Sequence, residues 1–322
     1  AAQDEERWYQ VELLIFSHEG ASGGNERFKS TPALAYPKAA RFLVEPDLVE
    51  ANIQRHKDRG VVESDVDEYG RQVITILPPE DEETASKPAT DTTSEQDPNT
   101  AMATIGPAAV DELEELLTPT PFVVLPGSAR EFYGKAVYMK RLGEYDILFH
   151  QSWLQPVVGE KQALPLLIDR SGDTQEWPRL QGSIKLYLSR YLHLHTNLWL
   201  NTSGNYLAGQ WRMPAPSLGP PSLIVDDSLM LEEEDDFYYV GTAEPALDDS
   251  LAEDPLIEDP LLEEETGPVS PWRHAVLLQQ KRRMRSSEIH YVDHPLFGLV
   301  IKLTPVDEEA LHTMALQEQD PS

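Results

Sequence analysis

Residues 183–200 read SIKLYLSRYLHLHTNLWL, and their alternation decides the fold class. Even positions 184, 186, 188, 192, 194, 198 and 200 are Ile or Leu, and only Arg190 and Thr196 break the series. Odd positions carry Ser183, Lys185, Tyr187, Ser189, Tyr191, His193, His195 and Asn197. Side chains that repeat every second residue belong to a β-strand, so the stretch predicts a sheet with one dry and one wet face. It is longer than the roughly 3–10 residues of an ordinary strand, so a bend near Ser189-Arg190 or a division into two strands is expected.

Further strands lie on either side. Trp8–Ser17 (WYQVELLIFS) places Trp8, Gln10, Glu12 and Leu14 on one face and Tyr9, Val11, Leu13 and Ile15 on the other. Tyr145–Trp153 and Leu299–Leu303 also read as strands, as does Gln72–Leu77, which Pro78-Pro79 stops. Ser128–Leu142 predicts a helix. Ser128-Ala129-Arg130-Glu131 fits a capping box, in which the Ser hydroxyl and the Glu carboxylate each satisfy an orphan backbone N–H. Phe132, Ala136 and Met139 share a face that Tyr133 and Val137 widen, and Gly143 supplies the stop. A weaker helical signal covers Pro46–Asp58, and Gly204–Met213 is read as completing a hairpin.

Charge divides the chain. The formal net charge is −30, but residues 213–272 hold 17 acids and no Lys or Arg, and 80–118 hold 11 acids against Lys87. Residues 119–212 and 273–306 together carry 16 Lys and Arg against 9 acids, so the expected core is mildly basic. Such a core suits carboxylates or phosphates, whereas so acidic a protein is poorly steered to DNA. No nucleic-acid partner is expected.

The expected architecture is α+β: a mainly antiparallel sheet, a helix at about 128–142 on its dry face, and two long acidic disordered insertions. Residues 1–79 supply the first strand and a variable region of the core. Residues 80–118 are an acidic, largely disordered segment that includes an acidic helical patch at Val110–Leu117. Residues 119–212 hold the helix and strands of the core, and 213–272 form an acidic, Pro- and Leu-rich disordered insertion. Residues 273–306 give C-terminal hairpin strands, and 307–322 a short helix and tail.

Residues 282–298, RRMRSSEIHYVDHPLFG, pack the most specific chemistry into the least length. With Ser286-Ser287 as the turn, Arg285 lies opposite Glu288, Arg283 opposite His290, and Arg282 opposite Tyr291. That register sends Val276, Leu278, Met284, Ile289 and Tyr291 to the core, and Lys281, Arg283, Arg285, Glu288 and His290 to solvent. Arg282 falls among the apolar set, where Tyr291 (stacking) and Asp293 (ion pairing) are its nearest partners. It either ties two strands together or meets a ligand. Asp293-His294-Pro295-Leu296-Phe297-Gly298 makes the next turn. Arg283, Arg285, His290, Tyr187, Tyr191, Arg282, Asp293 and His294 are the candidate ligand-binding residues.

Signatures of chemistry are sparse. The absence of cysteine excludes a disulfide framework, a thiolate zinc site and a lipidated N-terminal Cys. There is no GxSxG elbow, P-loop or GxGxxG. His193 and His195 share a strand face, with His150, His290 or His294 as conceivable third ligands, but exposed strand histidines are common and no metal or other cofactor is expected. Asp146, Asp169 and Asp293 show no spacing that pairs them for glycan hydrolysis. Tyr187 and Tyr191 suit sugar stacking as well as ordinary sheet packing. Ala1-Ala2-Gln3 fits either a mature end left after signal-peptide removal or a trimmed terminus. No apolar run approaches the ~18 residues of a membrane span, so no membrane insertion is expected.

The segments WYQVELLIF, YDILFHQSWLQP, GSIKLYLSRYLHLHTNL and RRMRSSEIHYVDHPLFG resemble the CsiV-type peptidoglycan-binding proteins of Gram-negative bacteria. The resemblance covers roughly 8–18, 125–157, 180–200 and 273–306. It implies a non-catalytic periplasmic protein that binds peptidoglycan and supports cell-wall assembly and cell shape. It also implies a partner, an outer-membrane lipoprotein that activates a bifunctional penicillin-binding protein. Two other classes stay open: a periplasmic protein–protein scaffold without direct glycan binding, and a glycan-cleaving enzyme.

Overall fold

A computed structural model describes residues 7–20, 27–29, 31–78, 117–208, 212–230 and 269–319. Along the chain they form β1 (Arg7–His18), α1 (Pro46–His56), β2 (Val61–Val66), β3 (Gln72–Leu77), α2 (Tyr133–Leu142), β4 (Tyr145–Val157) and β5 (Leu166–Leu167). Then follow α3 (Ser171–Thr174), β6 (Leu180–Leu188), β7 (Leu192–Thr202), β8 (Leu223–Asp226), β9 (His274–Met284), β10 (Ile289–Val292), β11 (Phe297–Pro305) and α4 (Glu308–Gln319). The fold is α+β and mostly antiparallel, as the sequence predicts.

The long alternating stretch is two strands, β6 and β7, joined at Ser189-Arg190-Tyr191. Their register sets Leu186 against Leu194 and Leu188 against Leu192, so the turn preserves parity and every even Ile or Leu stays on one face. β9 extends this sheet, with Leu198 opposite Leu278 and Leu192 opposite Met284. The other sheet has the order β10-β11-β1-β4, with β1 at its centre. Its odd residues Val11, Leu13 and Ile15, together with Trp153, Leu299, Ile301 and Leu303, pack on the dry face of the β6–β7–β9 sheet in one core. Each large aliphatic residue buried there stabilises by about 1.5–3 kcal/mol relative to exposure. At Gly182 the backbone has φ +116, and a Cβ there would lie 2.1 Å from Asn197 O, so only glycine fits. A smaller sheet, β2-β3-β8, carries α1 through the buried Asn52–Gln72 hydrogen bond of 2.8 Å.

The dry face predicted for the helix is therefore covered by a second sheet. Helix α2 packs instead on the outer face of β1, where Phe132 and Ala136 meet Leu14 and Phe16, and α4 covers Trp8 and Leu154 beside it. Tyr133 and Val137, expected to widen the buried stripe, are 60% and 40% exposed. The predicted capping box does not form: α2 begins at Tyr133 and has no side-chain cap of its own. The buried Glu12 carboxylate takes that role from β1, accepting from Glu131 N and Phe132 N at 2.8 Å each. Gly143 ends the helix with φ 73, as expected.

The predicted hairpin at 282–291 is a crossing between sheets. β9 pairs with β7, whereas β10 pairs with β11 through the tight Asp293–Leu296 turn, and Ser287 at φ +63 carries the chain from one layer to the other. Pairing with β11 inverts the parity of β10. Val292 is buried and His290 lies opposite Ile301, while Ile289 and Tyr291, assigned to the core by sequence, are exposed. Within the span read as an acidic insertion, Leu223–Asp226 forms β8, parallel to β3. Residues 81–101, the helical patch from 110 to 116 and the stretch 231–268 lie outside the described residues. Residues 209–211 of the expected 204–213 hairpin also do; Met213 N instead bonds Arg273 O at 3.0 Å. Among the described residues, no helix is long and apolar enough to cross a membrane.

Candidate functional site

The wet face of the β6–β7–β9 sheet has two halves. Over one half the segment before α1 lies against the sheet. Tyr36 sets its ring 5.0 Å from Trp199 and bonds Asp169 through its hydroxyl, and Asn197 Nδ2 donates to Ala35 O at 2.9 Å. The other half is open and is built from two cross-strand rows. Lys185, His195 and Lys281 form one row, and Tyr187, His193 and Arg283 the next. Odd numbering on all three strands puts these six side chains on one surface.

Tyr187 is the centre of this surface. Its ring stacks on His193 at 5.1 Å and 11°, with Lys281 Nζ 5.1 Å and Lys185 Nζ 5.9 Å from its centroid. Although Tyr187 is only 2% exposed, neither its hydroxyl nor His193 Nδ1 has a hydrogen-bond partner among the described residues. Most buried polar groups find partners, so two orphans on adjacent strands are unusual. Beyond them Arg283 Cζ lies 3.4 Å and Arg190 Cζ 5.6 Å from the centroid of the Tyr191 ring. Among the described residues, neither guanidinium makes a salt bridge or a hydrogen bond, so their N–H donors are available while ring contacts hold the planes in place.

One carboxylate moderates this charge. Glu160 Oε1 lies 3.1 Å from Lys281 Nζ, and Lys185 Nζ donates to Glu160 O at 2.7 Å. The Lys281 hydrogen bond holds the Glu160 carboxyl below its ordinary range. The Tyr187 hydroxyl and then Glu160 hold the Lys281 ammonium above its own, although no hydrogen bond of ordinary geometry closes between Tyr187 and either. Burial, followed by the Lys281 and Lys185 charges, lowers His195 below its usual 6.5. The surface therefore has four cations, two tyrosine rings and two imidazoles, of which His195 is held toward its neutral form. Its cations can bind carboxylates, while the rings hold those cations in place.

The fold brings together Tyr187, Tyr191 and Arg283 of the sequence candidates, and adds Lys185, Arg190, Lys281 and Glu160. Lys185 and Lys281 were legible as wet-face residues by parity. Glu160 lies in a loop that carries no periodic signal. The remaining candidates lie at the crossing between sheets. Arg282 shares the register of Leu194 but is exposed, and donates from Nη1 to Tyr291 O at 2.6 Å rather than stacking on the ring or pairing with Asp293. Asp293 instead accepts from the Tyr291 hydroxyl at 2.6 Å. Arg285 pairs with Glu288 at 3.4 Å, and His290 Nε2 lies 3.0 Å from Arg285 N. His294 packs between Phe28 and Phe297.

His193 and His195 sit two apart on the open face, and among the described residues no three His, Asp or Glu side chains gather as a metal-ligand set. Asp146 pairs with Arg179 at 2.7 Å, while Asp169 accepts from Tyr36, Ser171 and Gly182, so these carboxylates serve separate structural networks. A family model described as "Peptidoglycan-binding protein, CsiV" matches residues 1–306. Comparison with curated proteins and with solved structures returns no match.

Proposed function

The chain belongs to the CsiV family of peptidoglycan-binding proteins, and from that premise we propose that the open face around Tyr187 and Tyr191 is where it meets the wall polymer. One observation carries this assignment: Arg283 and Arg190 are held over the Tyr191 ring, and among the described residues their N–H donors are uncommitted. Peptide stems present carboxylates, which guanidinium groups held edge-outward suit. In this reading the protein is a non-catalytic periplasmic factor that supports cell-wall assembly and cell shape. Its placement in the periplasm, and an outer-membrane lipoprotein activator of a bifunctional penicillin-binding protein as partner, rest on the family resemblance.

A sacculus pull-down tests the site. Lys281→Ala/Arg283→Ala is expected to lose most retention, whereas Arg285→Ala/His290→Ala, altered at the sheet crossing, is expected to keep it. Unchanged retention of the first variant removes this face from the site.

Helix α2 supports a second reading as a protein-docking surface. Its sequence YGKAVYMKRL has three cations and no acid, with Tyr133, Val137, Tyr138 and Leu142 exposed. Such a surface fits an acidic protein partner with apolar side chains. Tyr138→Ser/Leu142→Ser would abolish partner capture and leave sacculus retention intact.

A further inference from the structure

A second concave site lies at the end of the sandwich where β1 and β7 finish. Its cavity of about 440 Å³ is lined in part by Glu19, Arg179, Asn201, Asn205, Tyr206 and Trp272. That volume falls within the roughly 300–1,000 Å³ of small-molecule pockets.

Its chemistry differs from that of the cationic face. Arg179 is already neutralised: Nη1 lies 2.7 Å from Asp146 Oδ2, and Nη2 lies 3.0 Å from Glu19 Oε1 and 2.9 Å from Ser17 Oγ. A carboxylate ligand would have to displace two that are in place, so the pocket does not favour anions. The Trp272 plane is fixed because its indole N–H donates to Trp177 O at 2.8 Å. The Tyr206 hydroxyl is engaged with Thr202 and His274. Leu200 and Leu296 add apolar wall beside the indole.

Asn201 supplies the unmet demand. It is 1% exposed, and its Nδ2 donates to Pro178 O at 2.7 Å and to Gln181 Oε1 at 2.8 Å. Gln181 Oε1 also accepts from Trp199 Nε1 at 3.1 Å, so the amide is locked: turning it over would set its oxygen against two acceptors. Among the described residues Asn201 Oδ1 is left buried with no donor, on a residue that lines the pocket.

We propose that this pocket binds a neutral N-acetylated amino sugar. An acetamido N–H supplies the donor that Asn201 Oδ1 lacks, and its methyl meets the Leu200, Leu296 and Trp272 wall. Ring hydroxyls reach Asn205 and Ser203 at the exposed rim. The protein then holds a wall strand at two separate places, with the sugar in this pocket and stem carboxylates on the cationic face. The pocket's chemistry is independent of the cationic face.

Calorimetric titration of the full chain with a β-1,4-linked N-acetylglucosamine tetramer tests this, with the equivalent glucose tetramer as comparison. The acetylated tetramer is expected to bind at least fivefold more tightly than the glucose tetramer. Ser203→Trp, which fills the cavity from its exposed rim, is expected to weaken it at least tenfold, and Asn205→Ala severalfold. Lys281→Ala/Arg283→Ala is expected to leave tetramer affinity unchanged while losing sacculus retention. No titratable heat with the acetylated tetramer, equal affinity for the two tetramers, or wild-type affinity in Ser203→Trp would each overturn the pocket assignment. Each of these results would leave the cationic face standing, whose own failure shows only in the sacculus assay.

Discussion

The Arg283 guanidinium carbon lies 3.4 Å from the centroid of the Tyr191 ring, the closest cation–ring approach among the described residues. A planar guanidinium keeps its N–H fork at the edge while its face rests on the ring, which an ammonium cannot do. Arg283→Lys retains the charge and loses this arrangement, so muropeptide affinity should fall by about 2–5-fold, the worth of an exposed cation–π contact. Arg283→Ala also removes the charge-assisted hydrogen bonds and should cost tenfold or more, roughly 1.5 kcal/mol. Titration calorimetry distinguishes the two; equal affinities for wild type and Arg283→Ala would show that the stack holds no ligand.

Glu160 restrains the same face. Its carboxylate lies 3.1 Å from Lys281 Nζ and competes with any incoming acid for that ammonium. Glu160→Gln should therefore strengthen sacculus binding severalfold at low ionic strength. The gain should fade above about 0.5 M salt, where the Debye length is only a few ångströms. A gain that persisted at high salt would point to a cause other than charge.

His195 makes binding and stability run in opposite directions with pH. Burial and the Lys281 and Lys185 charges depress its folded pKa below 6.5, so the unfolded chain binds its proton more readily. The stability it contributes is complete above about pH 6.5 and is lost as pH falls through that value toward the depressed one. Protonation adds a cation to the face, so binding to acidic stems should rise as pH falls below 6.5 toward the depressed value. His274 is depressed in the same sense by burial, so His195→Gln removes only part of the stability change. The binding change should shrink in that variant, as pull-downs across the pH series would show.

Local patterns in the sequence were reliable where one strand's own residues decide the answer. The alternation at 183–200 placed Lys185, Tyr187, His193 and His195 on one face and foretold the break at Ser189-Arg190. They failed where a partner strand decides. Nothing between Met284 and Ile289 tells the chain to leave one sheet for another; that follows from β10 pairing with β11, which reverses the parity of Ile289, His290 and Tyr291. The helix was legible but not its face, because a second sheet had already covered the side it was expected to bury. The pocket beside Asn201 left no mark, since its walls come from five separate parts of the chain.

The start of α2 shows the same contrast in energetic form. Sequence gives it a capping box at Ser128 and Glu131, yet Ser128 is exposed and makes no cap, and Glu131 reaches Lys302 at 2.7 Å instead. The cap is Glu12, which is buried and accepts from Glu131 N, Phe132 N and His150 Nε2 at 2.8 Å each. Glu12→Gln leaves a single acceptor oxygen and turns an NH₂ toward at least one of these donors. It should lower stability by about 2–3 kcal/mol, as expected for losing a hydrogen bond to a charged group. Urea unfolding should show a lower midpoint with the slope unchanged. Ser128→Ala should stay within about 0.5 kcal/mol of the parent, since an exposed side chain with no bonds is being shortened. A loss of about 1 kcal/mol in Ser128→Ala, with little in Glu12→Gln, would restore the local cap and remove β1 from control of the helix.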